Sequence, residues 1–380
     1  MAELRRRLER AGASLAPASF GDLPGFGSGD HAAALEVFFA SADAIADGLP
    51  ATRPAVMPDG AFVAFCRRLP GLARPQGQAE AKAFIETHFS PWRVVVAQRS
   101  GFLTGYFEPE IAASLVETPG FRAPVLPRPS DLATFRPGET PAGLDPALAA
   151  ARKWPDGSLT PYPARGEIEA LIAPNDPRAL VWLADWAESF LVQVQGSARV
   201  RLPDGKLLRL AYDGRNGRPY TSIGRILIET GKIPEAEMSL SRLKAWLRAA
   251  GLEPAQAGRL LLQRNESFVF FKIDPALDPK DGPVGAAGVS LTPLRSIAVD
   301  RGIWFYGLPF WIDARLTWQG VSATPFQRLM VAQDTGSAIL GPARADLFFG
   351  WGDEAGALAG GIRHPAEFAV LLPRDGEFGG

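Results

Sequence analysis

The segment 333–354 holds the residues best suited to acid–base chemistry. It reads Q-D-T-G-S-A-I-L-G-P-A-R-A-D-L-F-F-G-W-G-D-E and places Asp334, Asp346 and Asp353 among glycines and a proline. The apolar run 329–332 indicates a strand that ends in a turn at the first of these acids. Glycines beside an acid let the backbone bend and leave space for a ligand. The segment therefore predicts carboxylates aimed at a ligand, with simple turn formation as the alternative.

Asp346 combines an acid with apolar neighbours. Arg344 precedes it by two residues, and Leu347, Phe348 and Phe349 follow it. A short apolar strand would bury this carboxyl, and burial disfavours the charged form. We therefore expect the surroundings of Asp346 to tune its ionisation, as a general acid requires.

The composition indicates a folded, β-rich chain of about two domains. The 380 residues are 47% hydrophobic and 21% charged, which argues against disorder. Glycine (40 residues) and proline (34) are abundant, and this favours many turns. The formal net charge of −1 offers no electrostatic reason to expect nucleic acid as a partner.

Other common chemistries find little support in the sequence. His31, His88 and His364 are far apart and have no Cys or His neighbours at ligand spacing, so we expect no metal site and no cofactor. Cys66 is the single cysteine and lies on an apolar stretch, which is typical of a buried small hydrophobe. No stretch approaches the roughly 18 apolar residues of a membrane span, and residues 1–16 show no export signal.

Apolar periodicity and turn residues predict the elements that position these acids. Helices are predicted at 30–44, 61–69, 78–89, 179–190, 222–231, 239–250 and 254–263. Strands are predicted at 92–96, 101–111, 267–273, 290–299, 303–312, 328–331 and 368–372, with a hairpin at 191–210 that turns at Asp204-Gly205. Gly101 and Gly105 indicate a close backbone approach or a bulge. Strands at both ends, around a loop-rich and helical middle, indicate a second domain inserted into a first.

Five separated blocks, taken in order, carry a family resemblance. They are T-G-Y-F-E-P (104–109), Q-V-Q-G-S (193–197), Y-D-G-R-N-G-R-P-Y-T-S-I-G (212–224), N-E-S-F-V-F-F (265–271), and the aspartates Asp300, Asp334 and Asp346 with D-x-G-S-A-I and R-x-D-x-F-x-G-x-G. In this combination the chain resembles the MltA-type lytic murein transglycosylases, whose C-terminal 3D segment is named for three aspartates. The resemblance covers about residues 100–372.

The resemblance implies a mainly β fold with peripheral helices. A double-psi β-barrel would be formed by residues 1–108 and 266–380, and a second β-rich domain at 109–265 would be inserted, with a groove for the glycan between them. Asp346 would be the catalytic acid, and Asp334 would also belong to the catalytic centre. The implied substrate-binding residues are Thr104, Tyr106, Gln195, Ser197, Arg215, Asn216, Tyr220, Asp300 and Gly350.

The implied activity is cleavage of the β-1,4 bond between N-acetylmuramic acid and N-acetylglucosamine in peptidoglycan. One carboxyl suffices because the sugar's own C6 hydroxyl attacks, so Asp346 acts first as acid and then as base and leaves 1,6-anhydromuramoyl ends. Three alternatives stay open. They are an inverting hydrolase with Asp334 or Asp300 as base, a non-catalytic wall-binding module, and an aspartic protease, for which Asp334-Thr335-Gly336 lacks the required second copy.

Peptidoglycan glycan strands are the expected partner. We expect no nucleic acid, no transmembrane segment and a monomeric protein. Members of the family are commonly exported lipoproteins, so the resemblance implies a periplasmic location with outer-membrane association.

Overall fold

The computed structural model describes residues 2–97, 100–274, 280–318 and 322–374. The chain divides into two compact units. Unit 1 consists of Met1–Phe107, Val284–Gly350 and Glu354–Gly380, and unit 2 consists of Glu108–Pro283 and Trp351–Asp353. The two ends of the chain therefore form one unit, and its middle forms the other.

Helices and strands are numbered here in chain order. The helices are α1 Ala2–Arg10, α2 His31–Ala46, α3 Gly60–Arg68, α4 Gln78–His88, α5 Arg165–Ala170, α6 Trp186–Gln195, α7 Ile223–Glu229, α8 Leu240–Ala249, α9 Ala257–Gln263 and α10 Gly352–Gly360. The strands are β1 Ala13–Pro17, β2 Phe89–Val96, β3 Gly101–Glu108, β4 Glu110–Ser114, β5 Ala123–Val125, β6 Leu132–Thr134, β7 Ala150–Lys153, β8 Leu159–Pro161, β9 Val181–Leu183, β10 Ser197–Arg201, β11 Leu207–Arg215, β12 Val269–Asp274, β13 Ser296–Val299, β14 Pro309–Leu316, β15 Thr324–Asp334, β16 Arg344–Trp351 and β17 Arg363–Pro373.

Unit 1 is built on a sheet with the strand order β1-β2-β17-β14-β15-β13-β16-β3. Strand β17 also pairs with β3, where Arg363 lies opposite Thr104, so the strands from β17 to β3 close into a barrel. Closure removes open sheet edges and gives the strands a shared interior. The prediction of a mainly β fold with peripheral helices is confirmed, and the double-psi crossing of the barrel strands stays a prediction.

Helices α2, α3 and α4 pack on this barrel and match the three predicted N-terminal helices to within a few residues. Helix α2 begins after Asp30, whose carboxylate accepts a hydrogen bond from the Ala33 amide. It buries Phe38, whose ring meets Phe89 of β2 edge-on at a centroid distance of 5.4 Å. Burial of one such ring stabilises the fold by about 1.5–3 kcal/mol. The helices therefore belong to the same core as the strands.

Unit 2 contains a sheet with the order β12-β11-β10-β4-β9-β5 and a smaller sheet with the order β6-β7-β8. The hairpin β10–β11 turns at Asp204-Gly205, where Gly205 has φ +85°, as the Asp-Gly signal predicts. Its strands bury Arg199 and Arg209 against the fully buried Glu108. Because a buried charge needs a partner, this cluster ties the hairpin to the start of the unit.

Several predicted boundaries are wrong. Gln193 and Gln195 lie in α6 rather than in a strand, and the hairpin begins only at Ser197. Strand β12 pairs antiparallel with β11, so it belongs to unit 2 and the predicted domain boundary at residue 266 is too early. The predicted strand at 290–299 shortens to β13, and the one at 303–312 moves to β14.

Candidate active site

Asp334 and Asp346 are placed by the three strands β15, β13 and β16 of unit 1. Ala298 of β13 is in register with Asp334 on its parallel neighbour and with Asp346 on its antiparallel neighbour. Residues that lie opposite each other on adjacent strands project from the same face of a sheet. Two strand spacings correspond to about 10 Å between the Cα atoms. The fold therefore places both carboxyl groups on one face of the sheet, on the two strands that flank β13.

A β-bulge at Gln333 aims Asp334 at this face. The register between β13 and β15 shifts there, because Ile297 pairs with Ala332 while Ala298 pairs with Asp334. The side chain of Gln333 is fully buried and donates to Ser41 Oγ at 2.7 Å. An extra residue in one strand turns the following side chain to the other face. Without the bulge, Gln333 would occupy the position opposite Ala298.

The carboxyl of Asp346 accepts a short hydrogen bond and is largely buried. Thr104 Oγ1 of β3 donates to Asp346 Oδ1 at 2.5 Å, and Arg344 Nη2 donates to the same Thr104 oxygen at 2.7 Å. Burial raises the pKa of Asp346 to about 6, and the charge of Asp334 acts in the same direction. The Arg344 charge and the Thr104 hydrogen bond oppose that rise. Asp346 is therefore an acid that can hold or release its proton near neutral pH.

Asp334 is held from two sides. Tyr106 Oη donates to Asp334 Oδ2 at 2.8 Å, and the Ala286 amide donates to Oδ1 at 3.0 Å. Burial raises the pKa of Asp334, while the Thr335 amide and the charge of Arg53 lower it. Burial and the neighbouring Asp334 charge also raise the pKa of Tyr106 well above its ordinary value. Tyr106 therefore stays a neutral donor at physiological pH.

Gly105 lets β3 bring Thr104 and Tyr106 to the site. These two residues are two apart on a strand and so share one face, while Gly105 points to the other. A Cβ at Gly105 would lie 2.9 Å from the backbone of Ala359 and 2.8 Å from the Phe349 ring. Gly101 is equally crowded, since its Cβ would lie 2.5 Å from the Ala366 carbonyl oxygen. The predicted close backbone approach at both glycines is confirmed.

Asp300 and Gly350 have local roles in unit 1. Asp300 Oδ1 accepts from the Gly302 amide at 2.9 Å, and Oδ2 accepts from the Gly341 amide at 2.7 Å. Asp300 thus joins the turn after β13 to the loop between β15 and β16. Gly350 is buried near the end of β16 with φ +105°, a conformation that favours glycine. Contact of either residue with a ligand stays a prediction.

The other predicted binding residues belong to unit 2. Gln195 ends α6, Ser197 begins β10 and Arg215 ends β11. Tyr220 is half-buried, and burial raises its pKa. Their part in a ligand site stays a prediction.

Asn216 is the exception, and its predicted role in substrate binding is wrong. It is fully buried, and its amide nitrogen donates to the carbonyl oxygens of Pro163 and Glu266 at 2.9 and 2.8 Å. Its side-chain oxygen accepts from the Phe268 amide at 2.9 Å. Asn216 therefore joins chain segments of unit 2 and offers no surface to a ligand.

Two arginines of unit 1 were not among the predicted site residues. The sequence contained a signal for Arg344, because residues two apart on a strand lie on the same face and Arg344 is two residues before Asp346. Arg53 had none, because it lies in a loop and reaches the site through long-range folding. Arg53 Nη1 donates to the Thr335 carbonyl oxygen at 2.9 Å, 282 positions away in the sequence.

Metal and membrane features are absent from the described part of the chain. Within those residues, no group of three or more His, Cys, Asp or Glu side chains could hold a metal ion. None of the helices in the described ranges has the length and apolar character that a membrane crossing needs.

Comparison with known proteins shows the family. Residues 102–272 match the MltA specific insert domain, and residues 295–372 match the 3D domain. The membrane-bound lytic murein transglycosylase A of Vibrio cholerae is 36% identical over 208 residues, 53% of this chain and 54% of the relative. That of Escherichia coli K12 is 35% identical over 218 residues, 56% of this chain and 57% of the relative. The chain thus spans about half the length of these curated relatives.

Solved structures match over most of the chain. A membrane-bound lytic murein transglycosylase from Agrobacterium tumefaciens is 34% identical with a TM-score of 0.80, and the match covers 95% of this chain and 98% of that one. MltA from Neisseria gonorrhoeae is 28% identical with a TM-score of 0.72, covering 95% and 93%. E. coli MltA with bound chitohexaose is 27% identical with a TM-score of 0.59, covering 83% of each chain. With both domain models matched in order and these structures aligned, the chain belongs to the MltA family of lytic murein transglycosylases.

Proposed function

We propose that this protein is a lytic transglycosylase that cleaves the β-1,4 bond between N-acetylmuramic acid and N-acetylglucosamine in peptidoglycan. The observation that carries the proposal is the carboxyl of Asp346, which burial holds at a pKa of about 6 and which Thr104 orients at 2.5 Å. Such a group can give a proton and take one back at the same pH.

The reaction needs one carboxyl and no added water. Protonated Asp346 donates its proton to the glycosidic oxygen, and the bond from that oxygen to the anomeric carbon breaks as positive charge develops on the sugar. The Asp346 carboxylate then accepts the proton of the C6 hydroxyl, and the C6 oxygen bonds to the anomeric carbon. The products are a new N-acetylglucosamine hydroxyl and a 1,6-anhydromuramoyl end. Asp346 is protonated again.

Asp334 supports this acid through its charge. An ionised Asp334 raises the pKa of Asp346, so the acid keeps its proton to a higher pH. Tyr106 and the Ala286 amide already bind the two oxygens of Asp334, and this favours a supporting role over activation of water. In unit 2, amide, hydroxyl and guanidinium groups can form hydrogen bonds with a sugar, so we assign glycan contacts to Gln195, Ser197, Arg215 and Tyr220.

The relatives support a glycan substrate and an envelope location. The E. coli relative has been solved with chitohexaose, an oligosaccharide, and the curated relatives are named membrane-bound murein enzymes. We propose action on the periplasmic side, in association with the outer membrane, because the substrate lies outside the cytoplasm. We also propose that the protein acts as a monomer.

An inverting hydrolase is the second candidate, because a second carboxyl, Asp334, lies on the same sheet face as Asp346. An inverting hydrolase would use that carboxylate to activate water. The two reactions differ in their products, since hydrolysis leaves reducing ends and adds one oxygen from water.

Digestion of purified murein in water enriched in oxygen-18, followed by mass spectrometry, tests the proposal. We expect anhydro ends without the heavy isotope from the wild type, and no turnover from Asp346→Asn. Asp353→Asn is the matched control, because Asp353 is an exposed acid of the same segment, and it should retain the wild-type rate. Reducing ends that carry oxygen-18 would instead establish hydrolysis, and intact murein with every variant would establish a binding module.

A further inference from the structure

Arg344, Thr104 and Asp346 form a chain of hydrogen bonds with a fixed direction. Arg344 Nη2 lies 2.7 Å from Thr104 Oγ1, and Thr104 Oγ1 lies 2.5 Å from Asp346 Oδ1. A guanidinium can only donate, whereas a threonine hydroxyl has one proton to give. Thr104 therefore accepts from Arg344 and, in the geometry observed, donates its only proton to Asp346 Oδ1.

This direction decides which oxygen of the acid carries the catalytic proton. Oδ1 acts as an acceptor, so the proton of the neutral carboxyl belongs on Oδ2. Among the described residues, no hydrogen bond reaches Asp346 Oδ2, which leaves that oxygen available to a ligand. We propose that Arg344 is a positioning residue that acts through Thr104 and keeps the proton of Asp346 on Oδ2. This oxygen then gives its proton to the glycosidic oxygen and later accepts the proton of the C6 hydroxyl. The inference rests on the proposed function.

Arg344 is itself held in place, as a positioning residue must be. Its Nη1 donates to the Ala345 carbonyl oxygen, and its guanidinium lies over the Phe102 ring at 5.5 Å. Phe102 lies on β3, whose backbone amide at this residue donates to the Ala343 carbonyl oxygen at 2.9 Å. The two strands that carry Thr104 and Asp346 are thus joined beside the arginine, so the chain of donors is rigid.

Removal of Arg344 has a specific chemical consequence. Without a donor at its lone pair, Thr104 can rotate and accept a proton from Oδ1 of Asp346. The proton would then be held between two protein groups instead of facing the sugar. The nearby positive charge, which opposes protonation of Asp346, would also be lost. The acid would keep a proton to higher pH but present it from the wrong oxygen.

Steady-state cleavage of murein by Arg344→Met tests the inference. We expect kcat to fall by roughly tenfold or more, since a misplaced general acid loses much of its usual contribution, while KM changes little. The alkaline limb of the pH profile should move to higher pH. Arg344→Lys should restore part of the rate, because an ammonium also donates. Arg328→Met is the matched control, since Arg328 is another half-buried barrel arginine stacked on an aromatic ring, Trp318, and it should behave as wild type.

Variants of Thr104 separate positioning from simple support of the fold. Thr104→Ser keeps the hydroxyl and should therefore lose far less of the rate than Thr104→Val, which has no hydroxyl to donate. Thr104→Val introduced into Arg344→Met should not lower kcat any further, because the two residues act through the same chain of hydrogen bonds. If Arg344→Met lowers only thermal stability, raises only KM, or leaves the pH profile in place, the inference is wrong. A wild type that releases no anhydro ends would refute the proposed function instead.

Discussion

Thr104 and Tyr106, two residues apart on β3, donate their hydroxyl hydrogen bonds to two different aspartates. Thr104 binds Asp346 at 2.5 Å and Tyr106 binds Asp334 at 2.8 Å. One strand thus fixes both carboxyl groups, which lie on two other strands. Because the two acids also influence each other's charge, their protonation is coupled, and the following predictions depend on that coupling.

The first prediction concerns pH. We expect kcat/KM for murein cleavage to be retained at acidic pH and to fall as the pH rises through about 6, the pKa to which burial raises Asp346. The acid must be protonated before bond cleavage, so each further pH unit should reduce the rate by roughly tenfold. Release of soluble fragments across a pH series measures this. A rate that rises through the same range would contradict the assignment of Asp346 as the acid.

The second prediction concerns Asp334→Asn. This change removes the negative charge that raises the pKa of Asp346, so the alkaline limb of the kcat/KM profile should move to lower pH. At neutral pH the variant should therefore be slower, and acidification should restore much of its rate. Asp353→Asn, at an exposed position, should leave the profile unchanged. Loss of activity at every pH would instead identify Asp334 as the base of a hydrolase.

Local signals in the sequence were sufficient to predict the strands that carry Asp334 and Asp346. The apolar run before Asp334 and the Leu-Phe-Phe run after Asp346 both predicted strands, because burial of one strand face leaves a short-range pattern. The contact between Thr104 and Asp346 joins positions 242 apart, and no periodicity encodes such a pair. Only the family resemblance brought these two residues together before the structure did.

The wrong predictions have physical causes. The alternation in V-Q-V-Q fits a strand, but Asp185 caps α6 by accepting from the Glu188 amide at 2.9 Å, and the helix continues through Gln195. Asn216 lies in a glycine-rich turn, which usually indicates exposure. Its burial depends on segment 265–268, which reaches it from a distant part of the chain.

The third prediction is that Asp346→Asn stabilises the fold at neutral pH. The folded-state pKa of about 6 lies above the ordinary value, so the folded state binds more protons than the unfolded state between about pH 4 and 6, and stability falls across that window as the pH rises. Asparagine removes the charged form and should recover about 2–3 kcal/mol above that window. The amide also mimics a carboxyl protonated on Oδ2, so Thr104 keeps its acceptor.

Urea unfolding of both proteins at several pH values measures this difference. The stabilisation should be largest above about pH 7 and should vanish near pH 4, where both side chains are neutral. A variant that is less stable than wild type at neutral pH would show that burial of the Asp346 carboxylate does not destabilise the fold.

The last prediction concerns the bulge that aims Asp334. Gln333→Leu keeps the volume of the side chain but removes the buried hydrogen bonds that Gln333 makes with Ser41 Oγ and Ser296 Oγ. Since each such hydrogen bond contributes about 0.5–1.5 kcal/mol, we expect the variant to unfold at a lower urea concentration. Gln327→Leu is the matched control on the same strand, because the side chain of Gln327 donates to Asp313 in a half-buried position. This control should lower the urea midpoint far less than Gln333→Leu does.

The same variant should lose activity for a separate reason. Gln333 is the extra residue of β15, and its contacts with α2 hold it on the face opposite Asp334. When those contacts are lost, the register can slip by one residue, and a slip of one residue turns every later side chain to the other face. We therefore expect folded Gln333→Leu to show a lower kcat, measured in conditions where circular dichroism shows full folding. The contradicting result is a variant that unfolds at a lower urea concentration but still cleaves murein at the wild-type rate while folded. That result would show that the strand register holds Asp334 in place without Gln333.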